Sequence, residues 1–516
     1  MENNQRNPTW GERLDRIISF FNPSAGLKRM AARAQMRFAQ GYEAAAPWRN
    51  SANWFPADGR AEGINRHGRQ FLRAKARYLE RNSEIVNSVL NAYTRNTVGE
   101  GFNLQVKTDN ADWNSLVEKV WREWCKPGNC DVTGQYSLTE ILNMIVRRKI
   151  VDGGSILVKT LDKKAKIPFQ LQLREVDDID AFGQIKSPAG NPIVDGIEVN
   201  EYGKPLTYYL RKYDFVTLAQ IESERIPAER VYFLFDKERP SQIREITRLA
   251  RTIEKVNDLD EYFSTALFNE KINSAVAVYI TSNNVAAGAG IGRGGAGTGT
   301  GPGGKQLPPR IDAGSVKYLQ PGEDVKTLVP SGQASELETF NLALMQQISA
   351  GQGLSYEQVT RDVSRVNYSS ARQNLLEDWK VFAAEQKFLI DHFLDSVLRE
   401  VIMSAILKGF IPAREVPAGF WDDPDEFLKH EFVGPTMPWI DPYKEALANQ
   451  IMLDSYQMTL QEYCAKTGRD YEDVMKQITA ESELKRKIAE TLTPPQKGDD
   501  DGDAGKSAGN PAKSDA

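Results

Sequence analysis

Apolar residues recur every three or four positions along most of the chain and alternate in one central stretch, which predicts helix, then sheet, then helix again. From Gly63 to Thr94 the pattern predicts one helix, stopped by the glycines of "VGEGF" at 98–102. A second helix over "WNSLVEKVWREW" stops at Pro127-Gly128, and a third opens at Ser137, which has capping-box spacing with Glu140, and runs to about Val151. The stretches "SILVKTL", "FQLQLREV", "IVDGIEVNEYGKPLTYYL" and "RVYFLF" then alternate, and "YGKP" makes a turn between two strands. The expected sheet is therefore mainly antiparallel, and the fold class is α+β.

Ile243, Ile246, Ala250, Ile253, Val256, Phe263 and Leu267 predict a long amphipathic helix to about Ala275. The run "GAGIGRGGAGTGTGPGGK" at 288–305 is too rich in glycine for a regular element. Short strands resume in "SVKYLQPGEDVKTLVP", and Ser335 with Glu338 predicts the cap of the next helix. That helix breaks at "AGQGL". A polar stretch, "TRDVSRVN" from Thr360 to Asn367, follows, and Ser370 with Gln373 repeats the capping-box spacing at the head of a run to about Lys408. More helix is expected from Tyr443 to about Thr491, and the tail from 493 to 516, almost without apolar residues, is expected to be disordered. The first 60 residues read as a peripheral arm closed by the turn in "NWFPADGR".

Composition narrows the function classes. With 516 residues, 41% hydrophobic and 26% charged, the chain is an ordinary multidomain globular protein. Apolar runs such as "AVAVYI" fall far short of the roughly 18 residues that span a bilayer. The opening "MENNQRNPTW" has no signal-peptide layout, so an intracellular product with no membrane partner is expected. A net charge of -5 argues against a broad basic face that grips nucleic acid.

Three cysteines and three scattered histidines argue against a disulfide framework, a histidine metal site or an acid–base triad. "CKPGNC" reads as a turn rather than a zinc site. The glycine run holds dinucleotide spacing at Gly290, Gly292 and Gly295 and near phosphate-loop spacing at Gly299, Gly304 and Lys305. "KQLPPR" follows, however, with prolines where the helix of such a site should start. "DDDGD" in the tail misses the calcium-loop glycine, and "NYS" at 367–369 is a glycosylation sequon without a sign of secretion. No catalytic, cofactor or metal site is expected.

At "GLSYEQVTRDVSRVNYSSAR" the sequence resembles the portal proteins of lambda-like tailed bacteriophages, and the resemblance covers about 60 to 490. "RAKARYLERNSEIVNSVLNAYTRNTVGEGF" matches the family at Asn82 and in the Val98–Gly101 turn. Arg225–Ala228 is its "R-I-P-A", Pro321-Gly322 its "P-G" before a short strand, and Gly434–Pro442 its "G-P-x-x-P-W-I-D-P". "RPSQIRE", Arg239–Glu245, departs from the family's "R-P-G-Q-x-R-G" at both glycines.

The resemblance implies a ring, usually of twelve, at one capsid vertex, through which terminase packages DNA and from which DNA is later ejected. Beyond the arm read at 1–60, it implies a wing at 61–240 and a stem helix at 241–278. A clip with the glycine-rich loop at 279–334 and a second stem helix at 335–358 follow. It further implies a tunnel loop at 359–368, a long wing/crown helix at 369–408 and a mostly helical crown at 409–492. Thr360, Arg361, Asp362, Ser364, Arg365 and Asn367 would then line the DNA channel, with Ser370 and Gln373 capping the helix behind them. Implied partners are the terminase large subunit, major capsid and scaffold proteins, head-completion or tail adaptors and double-stranded DNA, in the host cytoplasm during assembly and then in the virion. A ring of twelve chains carries roughly -60, so weak repeated contacts with DNA are expected rather than a firm grip. The rival readings are a virion scaffold or adaptor that forms no ring, and a nucleotide-dependent enzyme using the glycine run.

Overall fold

The computed structural model describes residues 58–181, 186–213, 216–217, 220–274, 278–282, 323–327, 334–437, 442–466, 469 and 471–492. The expected arm, the glycine-rich run and the acidic tail lie outside the described residues, apart from 58–60 of the arm. The chain divides into two compact units, Met1–Ile64 and Asn65–Ala516, and the sheets and both hydrophobic cores lie in the second.

The first expected helix is two helices, α1 (Ala61–Asn82) and α2 (Glu84–Thr97). They part at Ser83, whose backbone is extended (φ -110°, ψ 122°). Strand β1 (Asn103–Val106) and helices α3 (Ala111–Trp124) and α4 (Leu138–Val151) follow. The Ser137–Glu140 capping box forms as expected. Strands β2 (Gly154–Leu161), β3 (Phe169–Arg174) and β8 (Val231–Phe235) make one antiparallel sheet in the order β3-β2-β8. Strands β4 (Ile193–Val194), β5 (Ile197–Val199), β6 (Pro205–Tyr213) and β7 (Gln220–Pro227) make a second, also antiparallel.

Strand β2 explains how two cores share one chain. Leu157 faces the large core, while its neighbours Ile156 and Val158 face a small core with Val176, Ile197 and Leu210. In β8, Tyr232 and Leu234 face the large core and Val231 the small one. A sheet covered on both faces needs a continuous apolar run, which is what "SILV" and "VYFLF" supply. Each such side chain contributes about 1.5–3 kcal/mol on full burial. In the large core α3 sets three tryptophans, Trp113, Trp121 and Trp124, whose rings pack against Phe420, Phe432 and Phe169. Trp113 donates its indole N–H to the Phe427 carbonyl (2.8 Å) and Trp124 to that of Phe169 (2.7 Å).

The helix expected from Ile243 starts later. Arg239–Thr247 is irregular, Thr247 caps a short 3-10 turn at Arg248–Arg251, and α5 spans Ile253–Ser274. The cause is a buried ion cluster. Glu245, in the position of a family glycine, is fully buried and receives Arg73 (3.0 Å) and Arg244 (2.8 Å). Arg69, Arg73 and Arg77 lie at i, i+4 and i+8 on α1, and pair with Asp195 (2.6 Å), Glu245 and Asp152 (2.6 Å) in one seam. A chain segment pinned by that many buried charges has no freedom to wind into a helix.

Strands β9 (Val278–Ser282) and β10 (Glu323–Thr327) pair antiparallel. Helix α6 (Ala334–Gly351) starts before Ser335, which therefore sits in its first turn and not at the cap. It packs on α5 through Tyr262 and Phe340, with ring centroids 4.8 Å apart. Gly351 is required there, because a Cβ would stand 2.6 Å from Thr252 Cγ2. After a short helix α7 (Tyr356–Thr360), α8 (Tyr368–Leu389) runs through a π turn (Ile390–Leu394) into α9 (Asp395–Lys408), which ends on Gly409 at φ +79°. Helix α10 (Pro424–Phe427), strand β11 (His430–Val433) paired with β1, and helices α11 (Pro442–Asp454), α12 (Leu460–Lys466) and α13 (Tyr471–Leu492) complete the chain.

Candidate functional site: the loop at residues 361–367

Ser355 begins α7 as its N-cap, accepting from the Gln358 N–H (3.2 Å). The carboxylate of Asp378, on α8 and buried, accepts from the Ser355 N–H (2.8 Å) and hydroxyl (2.5 Å), so it fixes the cap itself. Burial pushes the Asp378 carboxyl above its ordinary range, and the two Ser355 bonds oppose that. Asn374 on α8 donates to Glu357 (3.0 Å), and Ser88 on α2 donates to the Val359 carbonyl. The loop thus springs from a short helix clamped on two sides.

Helix α7 ends at Arg361, which takes the left-handed conformation (φ +61°) and donates its N–H to the Glu357 carbonyl (2.7 Å). Thr360 is turned inward: its hydroxyl donates to the Tyr356 carbonyl (2.9 Å) and accepts from the Asp362 N–H (3.2 Å). Asp362 accepts from the Ser364 N–H (3.0 Å) and the Tyr356 hydroxyl (3.2 Å). Hydrogen bonds from Ser364 chiefly, with Tyr356 and the charge of Arg365 behind them, hold its carboxyl below the ordinary range. Arg365 pairs with Glu338 on α6. Asn367 accepts from the Ser370 N–H (2.9 Å) and is the N-cap of α8.

Two expectations change at this loop. The stretch between helices is 361–367, since α7 claims Val359 and Thr360 and α8 claims Tyr368. Ser370 and Gln373 do not form the cap. Asn367, three residues earlier, offers the same acceptor chemistry, so Ser370 becomes the residue whose N–H is capped, while Gln373 donates to Glu377 one turn on (3.1 Å). Of the six candidate channel residues, Thr360, Asp362, Ser364 and Asn367 bond within the loop or its flanking helices, and Arg365 reaches α6. Arg361 is exposed, and its side chain makes no hydrogen bond or ion pair among the described residues. Sequence reading missed Asp378 as the partner of Ser355 and gave Glu338 to a helix cap rather than to Arg365, because no local spacing encodes either contact.

Such a site is built for positioning a polar loop. Its class follows from sequence. The chain belongs to the lambda family of phage portal proteins, whose description, phage portal protein, lambda family, matches at residues 48–386. It is similar to the probable portal protein of Halomonas phage phiHAP-1, 25% identical over 435 residues that cover 82% of each chain. It is similar to portal protein B of Escherichia phage lambda, 23% identical over 82% of this chain and 85% of that one. Among solved structures, a chain from the virion of a native gene transfer agent particle aligns over 78% of this chain and 99% of its own, at 11% identity and a TM-score of 0.40. The two glycines that "RPSQIRE" lacks do not remove the chain from the family. Among the described residues no helix is long and apolar enough to cross a membrane.

Proposed function

We propose that this portal protein works as a closed ring, of twelve copies in the family pattern, at one capsid vertex of the virion, with double-stranded DNA passing through its centre. Residues 61–240 are its wing, α5 and α6 its stem, the β9–β10 pair part of its clip, α8 and α9 its long wing/crown helix, and 409–492 its crown. The terminase large subunit docks during packaging, and head-completion or tail adaptors later. The observation that carries this reading is the apolar surface left open on the stem pair. Phe263, Leu267, Phe268 and Phe340 are each 41–62% exposed in the single chain. A helix pair that cannot bury such side chains within its own chain buries them against a neighbour in a closed ring.

The 361–367 loop is then the channel loop. Arg361 supplies the phosphate contact, while Arg365 sets the loop against the stem through Glu338. One unpaired cation in the loop suits a conduit that DNA slides through, because binding strength grows with the number of phosphates neutralised. The test is Arg361→Glu in an assembling phage. Rings are expected to form normally while DNA packaging or retention falls, and normal filling and holding of genome would remove the loop from the channel.

A further inference from the structure

A second surface lies far from the loop in the chain. A groove of about 700 Å³ runs between α3 and the segment after α9, lined by Leu116, Val120, Phe410 and Pro412 below and by Lys119, Arg122, Lys126 and Lys166 along its rim. Lys166 comes from the β2–β3 hairpin, which Lys408 at the end of α9 holds by donating to the Lys163 carbonyl (2.6 Å). Phe410 in its floor is 40% exposed. Four cations against two carboxylates, Glu123 and Glu415, make the lining positive in a chain whose net charge is -5.

We propose that this groove docks an acidic segment of another protein, one that carries a leucine or aromatic anchor among its carboxylates. The rim cations meet the carboxylates and the apolar floor takes the anchor, the division of labour usual at interfaces. Nucleic acid fits less well. Glu123 already joins Lys126 (2.5 Å) and Lys166 (3.0 Å) in the middle of the rim, and Glu415 lines the groove too. The carboxylates confine any anionic partner to the Lys119 and Arg122 side of the rim, and a continuous phosphate backbone would leave the apolar floor uncovered, where a peptide can place an anchor side chain. Lys119 makes no ion pair among the described residues, and Arg122 only a loose one with Glu118 (3.7 Å). Both are therefore available to a partner.

The test uses the assembled full-length protein and a labelled 12-residue peptide of Asp and Glu around a central Leu-Phe. Binding followed by fluorescence polarisation is expected to weaken with salt, to weaken roughly tenfold in Lys119→Glu with Arg122→Glu, and to weaken roughly threefold in Phe410→Ser. It is also expected to fall when Leu-Phe becomes Ser-Ser. No binding, or equal binding of a peptide with Lys in place of the acids, overturns the proposal. So does a 20-base-pair DNA duplex that binds better than the peptide and is lost in the charge variant, which makes the groove a nucleic-acid face. Particle mass measured on the same samples keeps this outcome separate from the ring reading.

Discussion

Asn367 and Ser370 compete for one role, and the structure gives it to Asn367. The two lie three residues apart, and both side chains accept hydrogen bonds from a helix's first turn, so spacing alone does not choose between them. Asn367→Ala is expected to cost about 1 kcal/mol, with faster amide exchange over the first turn of α8, while Ser370→Ala stays near neutral. Equal effects in denaturant melts would contradict the assignment. A second residue-scale expectation concerns Glu198 in β5, almost fully buried. Burial pushes its carboxyl up, but hydrogen bonds from Asn191 (2.9 Å), Ser187 (2.7 Å) and Tyr209 (3.1 Å), with Arg225 nearby, outweigh it and bring the pKa to about 2. A depressed carboxyl stabilises the fold above its unfolded pKa of about 4.5, and that stability is lost as pH falls toward 2. Hydrogen exchange of the β4–β7 sheet is expected to rise across that window, and Glu198→Gln to remove the dependence.

At the scale of elements, sequence patterning was informative where an element's partners are local or its pattern is simple. The Ser137 cap, the strands β2, β3 and β8, and the turn before β6 follow from neighbouring residues. What was hidden depends on distant partners. The helix expected from Ile243 is displaced because Arg244 and Glu245 are held by residues as far as 176 positions away. Strand β7, "QIESERIP", shows too little apolar alternation to be read, since it lies at one edge of its sheet. The junction of α5 with α6 likewise depends on a contact that no periodicity encodes. Gly351→Ala is expected to destabilise by roughly 1–3 kcal/mol, and Thr252→Ser in the same chain to recover much of that by removing the Cγ2 that the new Cβ meets. Additive losses in the double variant would mean that the two do not touch.

At the scale of the molecule, the fold leaves apolar side chains of the α5–α6 pair exposed and its loop with two exposed arginines, of which Arg365 is paired with Glu338 and Arg361 is not. The proposed ring would give both a purpose, and neither periodicity nor composition points to it by itself. Leu267→Glu with Phe268→Glu is expected to leave the melting temperature of the single chain nearly unchanged, because both side chains are already exposed, yet to prevent assembly. The ring is tested most directly by the mass and the axial image of the purified full-length protein. A closed ring of about twelve chains around an open channel is the expected result, whereas a monomer or dimer under every assembly condition would contradict it.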